Sequence, residues 1–315
     1  MTTRIGVIGA GAIGGWVAAK LALAGHPVSV LARGATRDAI QRDGLILREQ
    51  GESHAAQVAV SDDSAALGPQ ELVVIAVKAP SLADAADAAR GMIGADTRIA
   101  PMLNGVPWWF VAGEPLRSVD PGGRLAAALP LAQVIGCVVH AACRRTGPNS
   151  VEVAHADKLI LGEPDGAISK RIGDCAALFD SAGIRVEPSD NVRRAIWYKL
   201  WGNMTINPIS ALTRATADRI IGNEALKPFI LAAMAEAAAV GAAIGCPIEE
   251  SGEDRMVITA RLGAFKTSML QDVEAGRPLE LEALLGAPRE IAARVGIATP
   301  NIDALYALTK LLDES

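Results

Sequence analysis

The chain has 315 residues, of which 50% are hydrophobic and 21% charged, so it is not intrinsically disordered and is long enough for two domains. Its 35 acidic residues outnumber 30 basic ones, and the net charge of -5 does not favour a protein that binds the nucleic-acid backbone. Only 3% of the residues are aromatic, so we expect an aliphatic core.

Cysteine and histidine residues are few and scattered along the chain. They form no CxxC pair and no HExxH motif, so no metal site is expected and the cysteines are interpreted as buried thiols in a reducing compartment. No apolar run is long enough for a transmembrane helix, and the chain begins with a strand pattern rather than a signal peptide. We therefore expect a cytoplasmic protein without a membrane partner. The residues concerned are Cys137, Cys143, Cys175, Cys246, His26, His54, His140 and His155.

The first part of the chain alternates apolar strand patterns with alanine-rich helix patterns. The run LVVIAV is nearly all apolar, as in a strand that is covered on both faces of a parallel sheet. This order of elements is typical of parallel βαβ units. Strands are predicted at residues 4–8, 27–31, 72–77 and 98–103, and helices at residues 12–24 and 81–91.

The middle of the chain changes character before a helical part begins. Residues 125–165 contain strand-like runs separated by Gly, Pro and Asn, which predicts antiparallel additions to the sheet. A helix over 168–182 and a strand over 184–186 lead to a polar linker at 187–190. We predict an α/β fold, with a Rossmann-like, mostly parallel sheet with antiparallel additions in residues 1–187 and an all-helical C-terminal domain in residues 191–315. Helices there are predicted at residues 226–244, 253–275, 281–295 and 301–312.

A glycine-rich turn at residues 9–14 follows the first predicted strand and opens the first helix. This context is the one that a dinucleotide-binding fingerprint requires, because the glycines allow a tight turn, a close approach of a pyrophosphate, and close packing of helix on sheet. The alternative is a glycine-rich turn that binds no ligand. The predicted cofactor-binding residues of the turn are Gly9, Ala10, Gly11, Ala12, Ile13 and Gly14.

The end of the second strand indicates which dinucleotide is bound. An NAD site usually places a carboxylate there for the ribose hydroxyls, whereas this strand ends at Arg33 and the first carboxylate is Asp38. An arginine can pair with a 2′-phosphate, so Arg33 favours NADP(H), with Arg37 as support. The alternative is that Arg33 is a solvated loop cation.

Two polar residues follow successive strands of the predicted sheet. Lys78 comes after the LVVIAV strand and Asn104 after the next one. Ligands of open parallel sheets bind outside the carboxyl ends of the strands, so both residues are expected near the nicotinamide end of the cofactor. Either residue alone could equally be a surface group.

A polar stripe marks the first helix of the C-terminal half. Lys199, Asn203 and Asn207 recur every four residues and so share one face, beside an apolar stripe. Asn is a poor helix former, so two of them in register suggest a use. The alternative is a partly exposed stripe beside a core face. Asn207 and Pro208 together are expected to interrupt or bend the helix.

Several motifs in this order resemble the ketopantoate reductase family, the NADPH-dependent 2-dehydropantoate 2-reductases. The resemblance covers nearly the whole chain. It is carried by GAGAIG at residues 9–14, VIAVKA with Lys78, PMLNGVP with Asn104, KLWGNMTINPISALT from Lys199, and TSMLQDVE followed by Glu280.

The resemblance implies a role for each matching residue. Lys199 is implied as the catalytic proton donor and Glu280 as its acidic partner. The implied substrate-binding residues are Asn203, Asn207 and Ser268, with Arg33 on the 2′-phosphate and Lys78 and Asn104 near the nicotinamide. The bulky run of Pro107, Trp108 and Trp109, and the loop at residues 113–123, depart from the family pattern.

The implied reaction is the NADPH-dependent reduction of ketopantoate to pantoate, a step of pantothenate and coenzyme A biosynthesis. The implied partner is a small 2-keto acid, and the alanine-rich helices could pack either within one chain or across a homodimer. Three alternatives stay open: a related reductase of another 2-keto or 3-hydroxy acid, a non-catalytic NADPH-binding module, and a structural or assembly role.

Overall fold

A computed structural model describes residues 3–261 and 263–315, and these residues separate into two compact units. The first unit takes the chain up to Leu103 and again from Arg124 to Val192. The second unit contains Asn104–Gly123 and Arg193–Ser315. The predicted domains differ from this division, because residues 104–123 were assigned to the N-terminal domain but pack with the helical unit.

The first unit contains ten strands and six helices in its described residues. The strands are β1 (Ile5–Ile8), β2 (Val28–Leu31), β3 (Leu45–Glu49), β4 (Glu52–Ala56), β5 (Ala59–Ser61), β6 (Gln70–Ile75), β7 (Ile93–Pro101), β8 (Gly136–Gly147), β9 (Ser150–Gly162) and β10 (Val186–Ser189). The helices are α1 (Ala12–Leu23), α2 (Gly34–Asp43), α3 (Ser64–Leu67), α4 (Leu82–Ala88), α5 (Arg124–Ala128) and α6 (Lys170–Ser181).

The first sheet is parallel throughout, in the order β5-β2-β1-β6-β7. All four residues of β1 are buried, and so are the last four of β6. Such continuous burial is expected for central strands that are covered on both faces. The predicted parallel βαβ architecture is therefore confirmed, and it brings the carboxyl ends of β1, β2 and β6 to one edge.

The strands at residues 125–165 form an antiparallel pair, β8 with β9, as predicted. They do not extend the first sheet, however, but belong to a second one in the order β10-β9-β3-β4. Strands β3, β4 and β5 were not predicted from the sequence. The predicted linker at 187–190 lies largely in β10, where Pro188 pairs with Leu161. This edge strand accommodates a proline because one side of its backbone needs no ladder partner.

The second unit is helical in its described residues. Its helices are α7 (Val192–Thr213), α8 (Ala217–Ile221), α9 (Lys227–Ala243), α10 (Gly252–Ala260), α11 (Ser268–Glu274), α12 (Ala287–Arg294) and α13 (Pro300–Asp313). Of the interruption or bend expected at Asn207 and Pro208, the interruption is wrong, because α7 continues through Pro208 with both residues buried. Packing of the helix on its neighbours outweighs the one backbone hydrogen bond that proline removes.

The predicted helix at 253–275 is two helices, α10 and α11. Gly263 has a φ of +70°, which is incompatible with a continuing helix, and the Thr267 side chain caps the start of α11 by accepting a hydrogen bond from the backbone N–H of Leu270. Across the described ranges, no helix is both long and apolar enough to cross a membrane.

Candidate active site

Three glycines shape the turn between β1 and α1, each in a different way. Gly9 has a φ of +93°, and a Cβ there would lie 2.7 Å from Val77 Cγ1. A Cβ on Gly14 would overlap the carbonyl oxygen of Gly9. Gly11, in contrast, faces open space: apart from its chain neighbours, no atom of the described residues lies within 4 Å of its ideal Cβ position. Gly9 and Gly14 therefore close the turn, while Gly11 leaves room for a ligand to approach the backbone.

The start of α1 offers backbone donors to that open space. No side chain caps the helix, whose first residues Ala12 and Ile13 are half-buried together with Ala10 and Gly11. The first N–H groups of a helix have no partner inside the helix and attract anions. Uncapped donors beside an open glycine fit the pyrophosphate of a dinucleotide.

The carboxyl end of β2 carries the arginines that the sequence analysis singled out. Arg33 is exposed, immediately precedes α2, and forms no ion pair within the described residues. Arg37 pairs with Asp38 at 2.9 Å and also with Asp62. The side-chain hydrogen bond to Asp38 and the charge of Asp62 raise the pKa of the Arg37 guanidinium. Arg37 is thus neutralised by two carboxylates, whereas it was expected to support Arg33 in binding the 2′-phosphate.

Lys78 lies just beyond β6 and next to the residues that touch the glycine turn. Its half-buried side chain follows Ala76 and Val77, which pack against Gly9. The Lys78 carbonyl accepts a hydrogen bond from the Ser81 N–H at 2.9 Å, which fixes the chain as it leaves the strand. Lys78 is therefore held beside the turn at residues 9–14, in the first unit.

Asn104 belongs to the second unit, where it meets the polar stripe of α7. Asn203 Nδ2 donates a hydrogen bond of 3.1 Å to Asn104 Oδ1. The loop is held by two further features: the Val106 N–H donates to the Ala283 carbonyl at 2.8 Å, and Gly105 has a φ of +82°. A Cβ on Gly105 would lie 2.5 Å from that same carbonyl oxygen. Only glycine fits this close approach.

Two tryptophans fix the rotation of α7 about its axis. Trp197 Nε1 donates to the Ala237 carbonyl at 3.0 Å, and Trp201 Nε1 donates to the Met234 carbonyl at 2.8 Å. Both rings are buried against α9. This anchoring sets the direction of the polar stripe, along which Lys199 and Asn203 are half-buried and Asn207 is buried.

Glu280 enters the same unit at an irregular helical turn. Its side chain is buried, and its carbonyl accepts from the Leu284 N–H at 3.0 Å. The next residues, Glu282–Gly286, form one turn of π-helix before α12. Ala283 of this turn is the residue that holds the Asn104 loop. Single π-turns inserted in helices occur often at functional sites, and no feature of the sequence pattern predicted this one.

Within the described residues, Ser268 forms no side-chain hydrogen bond with the other predicted residues. It is the exposed first residue of α11, and within the described residues its side chain forms no hydrogen bond. The helix cap is its neighbour Thr267.

The bulky run after Asn104 belongs to the core of the second unit. Trp108, Trp109 and Phe110 are each less than a tenth exposed. Phe110 stacks on Trp197 with ring centroids 5.8 Å apart. These residues therefore fasten the loop to α7, which explains why residues 104–123 join the helical unit.

The loop at residues 113–123, which the motifs could not place, is anchored by Glu290 of α12. The Glu290 carboxylate accepts hydrogen bonds from the Arg117 N–H at 3.0 Å, the Ser118 N–H at 2.9 Å and the Ser118 hydroxyl at 2.6 Å. Burial alone would raise the pKa of Glu290, but these bonds and that of Arg294 outweigh it and lower the pKa to about 2. No short motif marks this anchor, because its partners lie more than 170 residues apart.

Comparisons with known proteins agree with this architecture. The family described as ketopantoate reductase PanE/ApbA matches residues 5–166, and the C-terminal part of that family matches residues 191–313. A 2-dehydropantoate 2-reductase from Mesorhizobium japonicum is 40% identical over 317 residues, covering 98% of this chain and 97% of that protein.

Solved structures give the same result. A 2-dehydropantoate 2-reductase from Methylococcus capsulatus superposes with a TM-score of 0.86 at 31% identity, over 99% of this chain and 97% of the other. A candidate ketopantoate reductase from Ralstonia solanacearum reaches a TM-score of 0.97 at 49% identity, over 100% and 98% of the two chains. A D-mandelate dehydrogenase solved with NADH and anilino(oxo)acetate shares the fold, with a TM-score of 0.86 at 19% identity, over 99% and 98% of the two chains.

Proposed function

The chain belongs to the ketopantoate reductase family and is an oxidoreductase that acts on a CH–OH group, and from this we propose that it reduces 2-dehydropantoate (ketopantoate) to pantoate with NADPH. The observation that carries the proposal is the polar site of the second unit, where the Asn104 amide meets Asn203 on the same face of α7 as Lys199. The product would then serve pantothenate and coenzyme A biosynthesis.

Features of the first unit favour the binding of a dinucleotide that carries a 2′-phosphate. The open face of Gly11 and the uncapped start of α1 suit a pyrophosphate, and Arg33 offers a guanidinium that no carboxylate neutralises within the described residues. Lys78, held beside this turn, would bind nearer the nicotinamide. When bound, the cofactor would supply the hydride to the carbonyl carbon of the substrate.

Lys199 is proposed to donate the proton. Negative charge develops on the carbonyl oxygen as the carbon is reduced, and a positioned ammonium both stabilises this charge and protonates the oxygen. The buried Glu280 carboxylate is proposed as the acidic partner that favours the charged form of the lysine.

The asparagines have donors and acceptors to spare for a substrate. Each side-chain amide has two N–H donors and an oxygen that accepts twice, and the bond between Asn203 and Asn104 uses only one donor and one lone pair. Asn203 and Asn207 are therefore proposed to bind the hydroxyl or carboxylate of the keto acid, with Ser268 as a further ligand.

A steady-state assay tests this proposal directly. The purified chain would be given ketopantoate or phenylglyoxylate, the keto acid of mandelate, with NADPH or NADH, and oxidation of the reduced cofactor would be followed by absorbance. We expect the highest kcat/KM for ketopantoate with NADPH. A higher kcat/KM for phenylglyoxylate would show that ketopantoate is not the preferred substrate. No turnover with any pair of keto acid and cofactor would contradict the proposed enzymatic activity.

The cofactor assignment has its own test in Arg33→Asp. A carboxylate at this position would repel a 2′-phosphate and accept hydrogen bonds from ribose hydroxyls, so KM for NADPH should rise by at least about tenfold while KM for NADH changes little. Arg42→Asp is the matched control, since Arg42 lies at the far end of α2 and, within the described residues, pairs only with its neighbour Asp43. Equal effects of Arg33→Asp on both cofactors would contradict the assignment.

A further inference from the structure

A second arginine reaches the start of α2 from a distant part of the sequence. Arg145, near the end of β8, donates from Nη2 to Thr36 Oγ1 at 2.7 Å and to the Pro148 carbonyl at 3.0 Å. Its Nε donates to the Gly147 carbonyl at 3.0 Å. Thr36 is only three residues after Arg33, about one helical turn, so both guanidinium groups belong to the same region of the first unit.

The hairpin that carries Arg145 is fastened along α2. Asn149, in the turn between β8 and β9, donates from Nδ2 to the Gly44 carbonyl at 2.7 Å, just past the end of the helix. Its own carbonyl accepts from the Ile46 N–H at 2.8 Å. Arg145 is thus held in place by the fold, although its side chain is exposed.

The Arg145 guanidinium keeps its charge and two of its donors. All three acceptors that it meets are neutral, and no carboxylate pairs with it within the described residues. A guanidinium has five N–H donors, so the two on Nη1 are left for a ligand. Arg37, by contrast, lies on the same helix but is neutralised by Asp38 and Asp62.

We propose that Arg145 is a second specificity-determining residue for the 2′-phosphate of NADPH, acting with Arg33; this inference rests on the proposed function. A phosphate monoester carries nearly two negative charges at neutral pH, and one arginine neutralises only half of this charge. A planar guanidinium can also bind two phosphate oxygens at once, so two of them can hold such a group in a defined orientation.

Calorimetric titration of the full chain with 2′,5′-ADP and with 5′-AMP tests the inference without any turnover. The two probes differ only in the 2′-phosphate. The wild-type chain should bind 2′,5′-ADP more tightly, and Arg145→Gln should weaken the binding of 2′,5′-ADP by about tenfold or more while leaving the binding of 5′-AMP unchanged. Arg145→Lys should restore part of the preference because it keeps the charge.

The neighbouring arginine provides the matched control. Arg144→Gln removes the same charge from the same strand, but Arg144 already pairs with Glu152 and should leave both affinities unchanged. If Arg145→Gln weakens both probes equally, or neither, the inference is overturned while the preference for NADPH stands. If the wild-type chain binds both probes with the same affinity, both the inference about Arg145 and the proposed preference for NADPH are wrong.

Discussion

The glycine turn of the first unit and the polar site of the second unit are built in opposite ways. The turn occupies six consecutive residues, and the atoms that crowd Gly9 and Gly14 come from this segment and from the two residues that follow β6. The polar site joins segments that are far apart in the chain: Asn104 and Asn203, which share a hydrogen bond, are separated by 99 residues. A local motif defines the first region, whereas packing assembles the second.

This difference separates the effects of mutations. Changes in the turn should alter cofactor binding and the stability of the first unit, because its contacts are local. Changes in the second region should alter the turnover number even when they fall on residues that never touch the substrate, because the site depends on how its segments dock.

The largest effect is expected from Lys199→Ala in α7. Losing a general acid usually lowers the rate by about 10²- to 10⁴-fold, and kcat with ketopantoate and NADPH should fall by that amount. The affinity for NADPH, measured by titration, should stay the same if cofactor binding depends on the first unit.

Lys310→Ala is the control, since Lys310 is an exposed lysine of α13 whose ion-pair partner is Glu314, the residue that follows the helix. A kcat close to that of the wild-type chain for Lys199→Ala would remove this residue from the role of proton donor.

Substitutions at two adjacent glycines of α1 should have opposite effects on stability. Gly14→Ala places a Cβ on the carbonyl oxygen of Gly9, so the first unit should lose about 3 kcal/mol of stability and bind NADPH poorly. Gly15→Ala meets its nearest atom, on Val151, at an ordinary 3.8 Å, and should add about 0.5–1 kcal/mol through better helix propensity.

Hydrogen exchange of the α1 amides measures both effects. Gly11→Ala completes the series, because its Cβ enters open space: the protection of α1 should persist while NADPH binding weakens. If the α1 amides are equally protected from exchange in the Gly14→Ala and Gly15→Ala variants, the turn accommodates a Cβ at residue 14 and the predicted loss of stability is wrong.

The contrast between the regions also explains what could be predicted from the sequence. The parallel strands and the glycine turn follow from hydrophobic patterns and from short motifs, which depend on neighbouring residues. The shared helical face of Lys199, Asn203 and Asn207 was also predictable, because a stripe at helical spacing stays on one face wherever the helix packs.

The missed features all depend on contacts between distant segments. Residues 104–123 carry no periodicity that assigns them to either unit; the stacking of Phe110 on Trp197 does so. The π-turn after Glu280 accepts, at Ala283, a hydrogen bond from the distant Val106, and β10 pairs with β9. A linker was predicted around Pro188 and an interrupted or bent helix at Pro208, because the packing that accommodates these prolines is not visible in a local sequence pattern.

Gly105→Ala should weaken catalysis by disturbing the docking of the Asn104 loop. The new Cβ would lie 2.5 Å from the Ala283 carbonyl oxygen, and the loop would have to move. A misplacement of about 1 Å can cost up to about a hundredfold in rate, so kcat should fall by about ten- to a hundredfold. Gly113→Ala is the matched control, with a similar φ of +93° but nothing within 4 Å. If both variants lose equal activity, backbone strain rather than the contact with Ala283 is responsible.

The smallest effect is a pH dependence that starts from Glu290, which anchors the other end of the same segment. The folded pKa of about 2 lies below the usual value of 4.5, so the carboxylate stabilises the fold above about pH 4.5 and this contribution is lost as the pH falls towards 2. After screening by solvent we expect it to be worth about 1–2 kcal/mol.

Urea unfolding between about pH 6 and pH 3, followed by tryptophan fluorescence, reports mainly on the second unit, which contains four of the five tryptophans. Glu290→Gln should lower the midpoint at pH 6 and flatten its decline below pH 4.5, whereas Glu224→Gln, an exposed control, should follow the wild-type curve. An unchanged slope in Glu290→Gln would mean that other carboxylates hold this segment against acid, and that the loop carrying Asn104 does not depend on this anchor.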